Sequence, residues 1–152
     1  MAAGAAARAR DVEDEPLMLA EFLPYRLSVA SERVSRAFAA RYEAEFGLTI
    51  PEWRVMAVLG ERAPRSTQDV IETTAMDRVK VSRAVIRLAD KGLVARVPVP
   101  GDARAQLLSL TRQGSAMYRR IVPLARRMQA ELVSLFTADE LAVLDRILGK
   151  LR

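Results

Sequence analysis

Three times along this chain a Ser or Thr stands three residues ahead of an Asp or Glu, each pair opening a run of apolar residues at helical spacing: Thr49 with Glu52, Ser66 with Asp69, and Thr137 with Glu140. The pairing constrains the fold more than any bulk property. The hydroxyl accepts from the backbone N–H of the third helical residue, and the carboxylate reaches back to the backbone N–H of the cap. Each pair therefore fixes where a helix begins. Thr49 predicts a short helix from Pro51 to Glu61 with Trp53, Met56, Ala57 and Leu59 on its apolar face, and Ser66 opens another to about Thr73. Ala63-Pro64-Arg65 breaks the chain between them. After the small turn Thr74-Ala75-Met76, Asp77 caps a third short helix from Arg78 to Lys91, with Val81, Val85 and Leu88 inward and Gly92 as its stop.

Beyond Gly92 the helical period is lost. Leu93 to Pro98 and Gln106 to Leu110 are compact apolar stretches around the turn-rich tip Val99-Pro100-Gly101-Asp102-Ala103-Arg104, which reads as a β-hairpin. Long helices flank this module. From Leu17 to Phe46 the residues Leu23, Leu27, Ala30, Val34, Phe38 and Tyr42 recur every three or four positions, with Pro24 near the start and Gly47 as the stop. Thr111 caps a second long helix to about Phe136, striped by Met117, Ile121, Leu124, Met128, Leu132 and Leu135, where Pro123 predicts a kink. Thr137 opens the last helix, Ala138 to Leu151. The fold class is mainly α with a small β-hairpin wing: a winged helix-turn-helix with long flanking helices. Helices of that length cannot bury their stripes on so small a module, so two chains are expected to interlock them as a homodimer.

Charge then singles out one helix. The chain carries 24 Lys and Arg against 19 Asp and Glu, a net of +5. Between Asp77 and Arg104 seven basic residues (Arg78, Lys80, Arg83, Arg87, Lys91, Arg96, Arg104) face three acids (Asp77, Asp90, Asp102), so this stretch alone holds +4. Lys80, Arg83, Arg87 and Lys91 share one side of the third short helix, opposite Val81, Val85 and Leu88. A solvated helix face also looks like this. With a turn before it and a hairpin after it, the helix fits a DNA major groove, with Ser82 and Arg83 in reach of base edges.

Residues Gly47 to Gly114 resemble the MarR family of regulators, through GLTIPEWRVMAVL, MDRVKVSRAVIRLADKGLVAR and GDARAQLLSLTRQG; the last, with its Asp-x-Arg, Leu-Thr and succeeding Gly, is the most specific. The flanking helices match in order and length. The resemblance implies a dimer on a palindromic operator, a reading helix at Arg78 to Lys91, and a wing whose Arg104 enters the minor groove, positioned by Asp102. Ser66 and Thr67, with Arg78, Lys80, Ser82, Arg83 and Arg87, complete the expected DNA-contacting set. It also implies an effector pocket, for which Tyr25, Arg26, Ser28, Arg33, Trp53 and Arg54 are the candidates; an Arg with aromatics would suit an aromatic carboxylate or its thioester. The same residues also read as core aromatics and surface arginines.

The boundaries implied are a flexible tail over residues 1–16, an N-terminal dimerisation helix over 17–46, the winged DNA-binding domain over 47–111, and C-terminal dimerisation helices over 112–152. With no Cys and no His, the chain lacks the residues of thiol-based peroxide sensing and the commonest zinc ligand and general base. No phosphate loop and no nucleophile with a partner base is legible, so an enzyme is the weakest reading. No cofactor is expected. No apolar run approaches the ~20 residues of a membrane span, and the Ala-rich start, mixed with Arg8, Arg10 and acids, is unlike a signal or transit peptide, so a cytoplasmic protein is expected. Three functions compete: a ligand-released repressor, an activator or ligand-independent regulator, and a winged module for protein contacts. The last does not account for Asp102 and Arg104.

Overall fold

The computed structural model describes residues 16–99 and 101–151, and for residues 103–105 the backbone alone. The expected tail, residues 1–16, lies outside the described residues apart from Pro16. The elements are α1 (Leu23–Phe46), α2 (Ile50–Glu61), β1 (Arg65–Ser66), α3 (Thr67–Thr74), α4 (Arg78–Asp90), β2 (Val94–Val99), β3 (Asp102–Leu110), α5 (Arg112–Val133) and α6 (Ala138–Lys150). Among the described residues no helix is long and apolar enough to cross a membrane.

The chain divides into two compact units, Met1–Ala37 and Phe38–Arg152, with the boundary inside α1. In the first, α1 begins at Leu23, not at Leu17 as the apolar spacing suggests. Pro24 has no N–H to donate and its fixed φ suits a first turn, so it stands as the second residue of the helix. Leu23, Leu27 and Val34 are left exposed.

The second unit holds the core. All three capping boxes form with both reciprocal bonds. Helix α1 stops at Gly47, whose φ of +63° few side chains tolerate, and whose N–H donates to the Glu43 carbonyl at 2.9 Å. Leu48 then drops fully into the core, with Val55, Met56 and Leu59 of α2, Val70 of α3, Val81, Val85 and Leu88 of α4, and Ile121, Leu124 and Met128 of α5. Helix α2 buries Val55 and Val58 where the sequence suggests Trp53 and Ala57, which are half-buried.

The hairpin is part of a three-stranded antiparallel sheet in the order β1-β3-β2, with Arg65 opposite Leu108 and Ser66 opposite Leu107. Two residues carry no periodicity, so β1 is invisible in the sequence. Helix α5 runs continuously through Pro123 and ends at Val133, a turn earlier than expected. Its start is locked by Thr111, whose hydroxyl donates to the Gly92 carbonyl at 2.6 Å and accepts from the Gly114 N–H at 2.9 Å.

Candidate nucleic-acid interface

Helices α3 and α4 are joined by a tight turn. Ala75 adopts a left-handed φ of +53°, Met76 is buried, and Asp77 caps α4 by accepting the Lys80 N–H at 2.8 Å. The Asp77 carboxylate also pairs with the Lys80 ammonium at 3.2 Å. The backbone hydrogen bond first, and that pairing second, hold its carboxyl below the ordinary value. At the front of α3 the Ser66 hydroxyl and backbone N–H do the same for Asp69. The starts of α3 and α4 are thus fixed by local caps.

Helix α4 has two faces. Val81, Ala84, Val85 and Leu88 are buried, whereas Arg78, Val79, Lys80, Arg83, Ile86 and Arg87 are exposed and Ser82 is half-buried. Arg78 is steadied from α3 by the Gln68 side-chain oxygen at 2.9 Å. The helix ends in a Schellman motif: the Leu93 N–H donates to Leu88 O at 2.8 Å, and the N–H of Gly92, at φ +69°, donates to Ala89 O at 2.9 Å. That motif turns the chain straight into β2.

Lys91 does not join the basic face that its spacing suggests. Its ammonium turns inward, donating to the Gly47 carbonyl at 2.9 Å and to Glu52 at 3.0 Å. Glu52 is 1% exposed, and a buried carboxylate draws the nearest long cationic stem. The sequence marks Glu52 only as the carboxylate of the Thr49 capping box, and nothing in the spacing links it to Lys91.

The wing differs from the expected six-residue tip. Val99 pairs directly with Asp102, and Gly101 takes a φ of +85° in the turn between them. The register jumps from Gln106 opposite Pro98 to Asp102 opposite Val99, so residues 103–105 form a bulge in β3. Asp102 is exposed at the strand start. Arg104 belongs to the bulge, and its side chain lies outside the described part. Arg96 crosses the hairpin to Gln106 at 3.1 Å. Ser66 is half-buried as the α3 cap, and Thr67, also half-buried, is the first residue of α3.

The residues expected to hold an effector fall in both units. Tyr25, Arg26, Ser28 and Arg33 are exposed on α1, in the first. In the second, Arg54 is exposed and Trp53 is half-buried between Tyr42, 5.0 Å away between ring centroids, and Tyr118, at 6.4 Å. Burial raises the Tyr42 hydroxyl above its ordinary pKa. Tyr118 lies flat against Gly60, where a Cβ would come within 2.4 Å of the ring. Helical spacing alone does not bring Tyr118 to this cluster; Gly60, in the last turn of α2, is the sequence's sign of a close ring. Nor does spacing point to a cleft of about 540 Å³ lined by Arg41, Ala44, Glu45, Leu124 and Arg127.

The MarR family model matches residues 46–105. The chain is 27% identical over 134 residues to the HTH-type transcriptional repressor NicR of Pseudomonas putida, covering 88% of this chain and 84% of that one. A MarR family transcriptional regulator from Silicibacter pomeroyi DSS-3 is 30% identical, with 90% of this chain and 100% of that one covered at a TM-score of 0.74. BpsR of Bordetella bronchiseptica, a protein whose DNA binding is regulated by 6-hydroxynicotinic acid, is 26% identical, with 90% and 97% covered at a TM-score of 0.80.

Proposed function

The chain belongs to the MarR family of transcriptional regulators, and from that premise we propose that it is a repressor, binding a palindromic operator as a homodimer and released by a small aromatic acid or its thioester. One observation carries the DNA-reading part: α4 presents Lys80, Arg83 and Arg87 on one face, with Arg78 exposed at its first residue, while Val81, Val85 and Leu88 anchor the other face. In this reading Arg83 and Ser82 address base edges in the major groove. Arg78, Lys80 and Arg87 neutralise phosphates, and Ser66 and Thr67 bring the front of α3 to the backbone. Arg104 enters the minor groove from the wing, oriented by Asp102.

The effector class rests on the chain's similarity to BpsR, together with Trp53 and its flanking arginine Arg54. Tyr25, Arg26, Ser28 and Arg33 remain the effector candidates of the first unit. Such a protein works by binding alone, without catalysis or cofactor, in the cytoplasm where the chromosome is.

Selection from a random duplex library tests the reading. The expected winners are palindromes whose half-sites stand about one helical turn, ~34 Å, apart. A library that comes through without enrichment overturns it.

A further inference from the structure

The reading face of α4 is not purely cationic. Val79 is 58% exposed and Ile86 50% exposed. They are seven residues apart, which on an α-helix returns to within ~20° of the same direction and separates them by about 10.5 Å along the axis. Arg83 lies between them on that face. Neither contributes to the core, and a β-branched residue at an exposed helical site lowers helix propensity. Folding therefore gives no account of them.

We propose that Val79 and Ile86 are specificity-determining residues that pack on thymine methyl groups in the major groove, on either side of the base pair addressed by Arg83. The major-groove edges of the bases carry one apolar group, the thymine C5-methyl. The occupant is duplex DNA because Arg78, Lys80, Arg83 and Arg87 surround the two side chains. An apolar protein surface would have to strip water from those cations without pairing them, whereas phosphates pair with them as the methyls are covered. The spacing of about 10.5 Å spans roughly three base-pair steps of ~3.4 Å. Each half-site should thus carry thymines flanking its central guanine.

The inference rests on α4 occupying the major groove, and one experiment separates the two. The duplex selected by the wild-type protein is resynthesised with deoxyuridine for each half-site thymine, which removes the methyl and leaves every hydrogen-bonding group. Binding is read by fluorescence anisotropy at fixed salt. The wild type should lose about fourfold in affinity per contacted methyl. Val79→Ser with Ile86→Ser, whose exposed sites leave the fold intact, should bind the thymine duplex more weakly and be indifferent to the replacement. A wild type indifferent to deoxyuridine, or a double variant as sensitive as the wild type, overturns the methyl contact. If Arg83→Ala still weakens binding in that case, α4 remains the reading helix. If Arg83→Ala has no effect either, the DNA-reading assignment itself fails.

Discussion

Glu52 shows how one side chain can hold a reading head in place. Burial alone would push its carboxyl up, but the Thr49 N–H at 2.8 Å, the Lys91 ammonium at 3.0 Å and the Thr49 hydroxyl at 3.0 Å outweigh that and hold it below the ordinary carboxylate value. The folded value lies below the unfolded one, so the stabilisation is present above the unfolded pKa and is lost as the pH falls through the folded value. Thermal stability should therefore drop as the pH is lowered through and below the ordinary carboxylate range, and Glu52→Gln should flatten that part of the profile. Lys91→Met leaves a buried carboxylate with less compensation and should cost about 1–3 kcal/mol in urea titrations. Because Lys91 faces inward, the salt dependence of DNA binding should not change, as it would for a phosphate contact. Gly114 is a second such residue. A Cβ there would stand 1.9 Å from the Leu93 carbonyl oxygen, so Gly114→Ala must part α5 from the start of the wing, at about 3 kcal/mol in the same assay.

At the scale of elements, α4 and the wing have separable tasks. Arg83→Ala should cost roughly 1–3 kcal/mol of operator binding and relax the preference at one position in each half-site, because an Arg pairs bidentately with guanine in the major groove. Arg104→Ala should weaken binding to the operator and to a scrambled duplex alike, with little change in preference, because minor-groove readout is degenerate. Anisotropy against both duplexes at fixed salt distinguishes them. Both variants binding like the wild type would shift the balance to a winged module for protein contacts. Asp77→Ala removes the cap of α4 and should lower stability by about 1 kcal/mol in urea titrations.

For the whole molecule, the exposed apolar residues are the main observation. In the first unit Leu23, Leu27 and Val34 of α1 are uncovered; in the second, Phe136, Val143, Leu144 and Ile147 line an apolar groove on α6. A second copy would remove both faces from water. Sedimentation at micromolar concentration should show a dimer, and Leu144→Glu with Ile147→Glu should dissociate it and reduce operator affinity; a well-folded wild-type monomer would refute the interface and the palindrome together. Effector binding has its own readout. Trp53 is the chain's single tryptophan and is flanked by the rings of Tyr42 and Tyr118, so its emission should change on titration with an aromatic acid that also releases the operator. Peroxide and zinc should leave both signals unchanged.

Features that depend on near neighbours in the chain can be read from the residues alone. Caps act over three residues and apolar stripes over seven, so the starts at Thr49, Ser66, Asp77, Thr111 and Thr137, the stops at Gly47 and Gly92, and the two faces of α4 were all legible. Tertiary structure alone decided what depends on residues far apart in the chain. It paired the two residues of β1 with β3 and turned Lys91 from the basic stripe to Glu52, 39 positions away. It placed Tyr118 beside Trp53 and gave Gly114 its reason in the Leu93 carbonyl. It also left Val79 and Ile86 uncovered in a face that charge spacing had marked only as basic. The physical reason is the same in each case: a cap is satisfied within one turn, whereas burial and ion pairing are fixed by whichever distant side chain the packed core brings within reach.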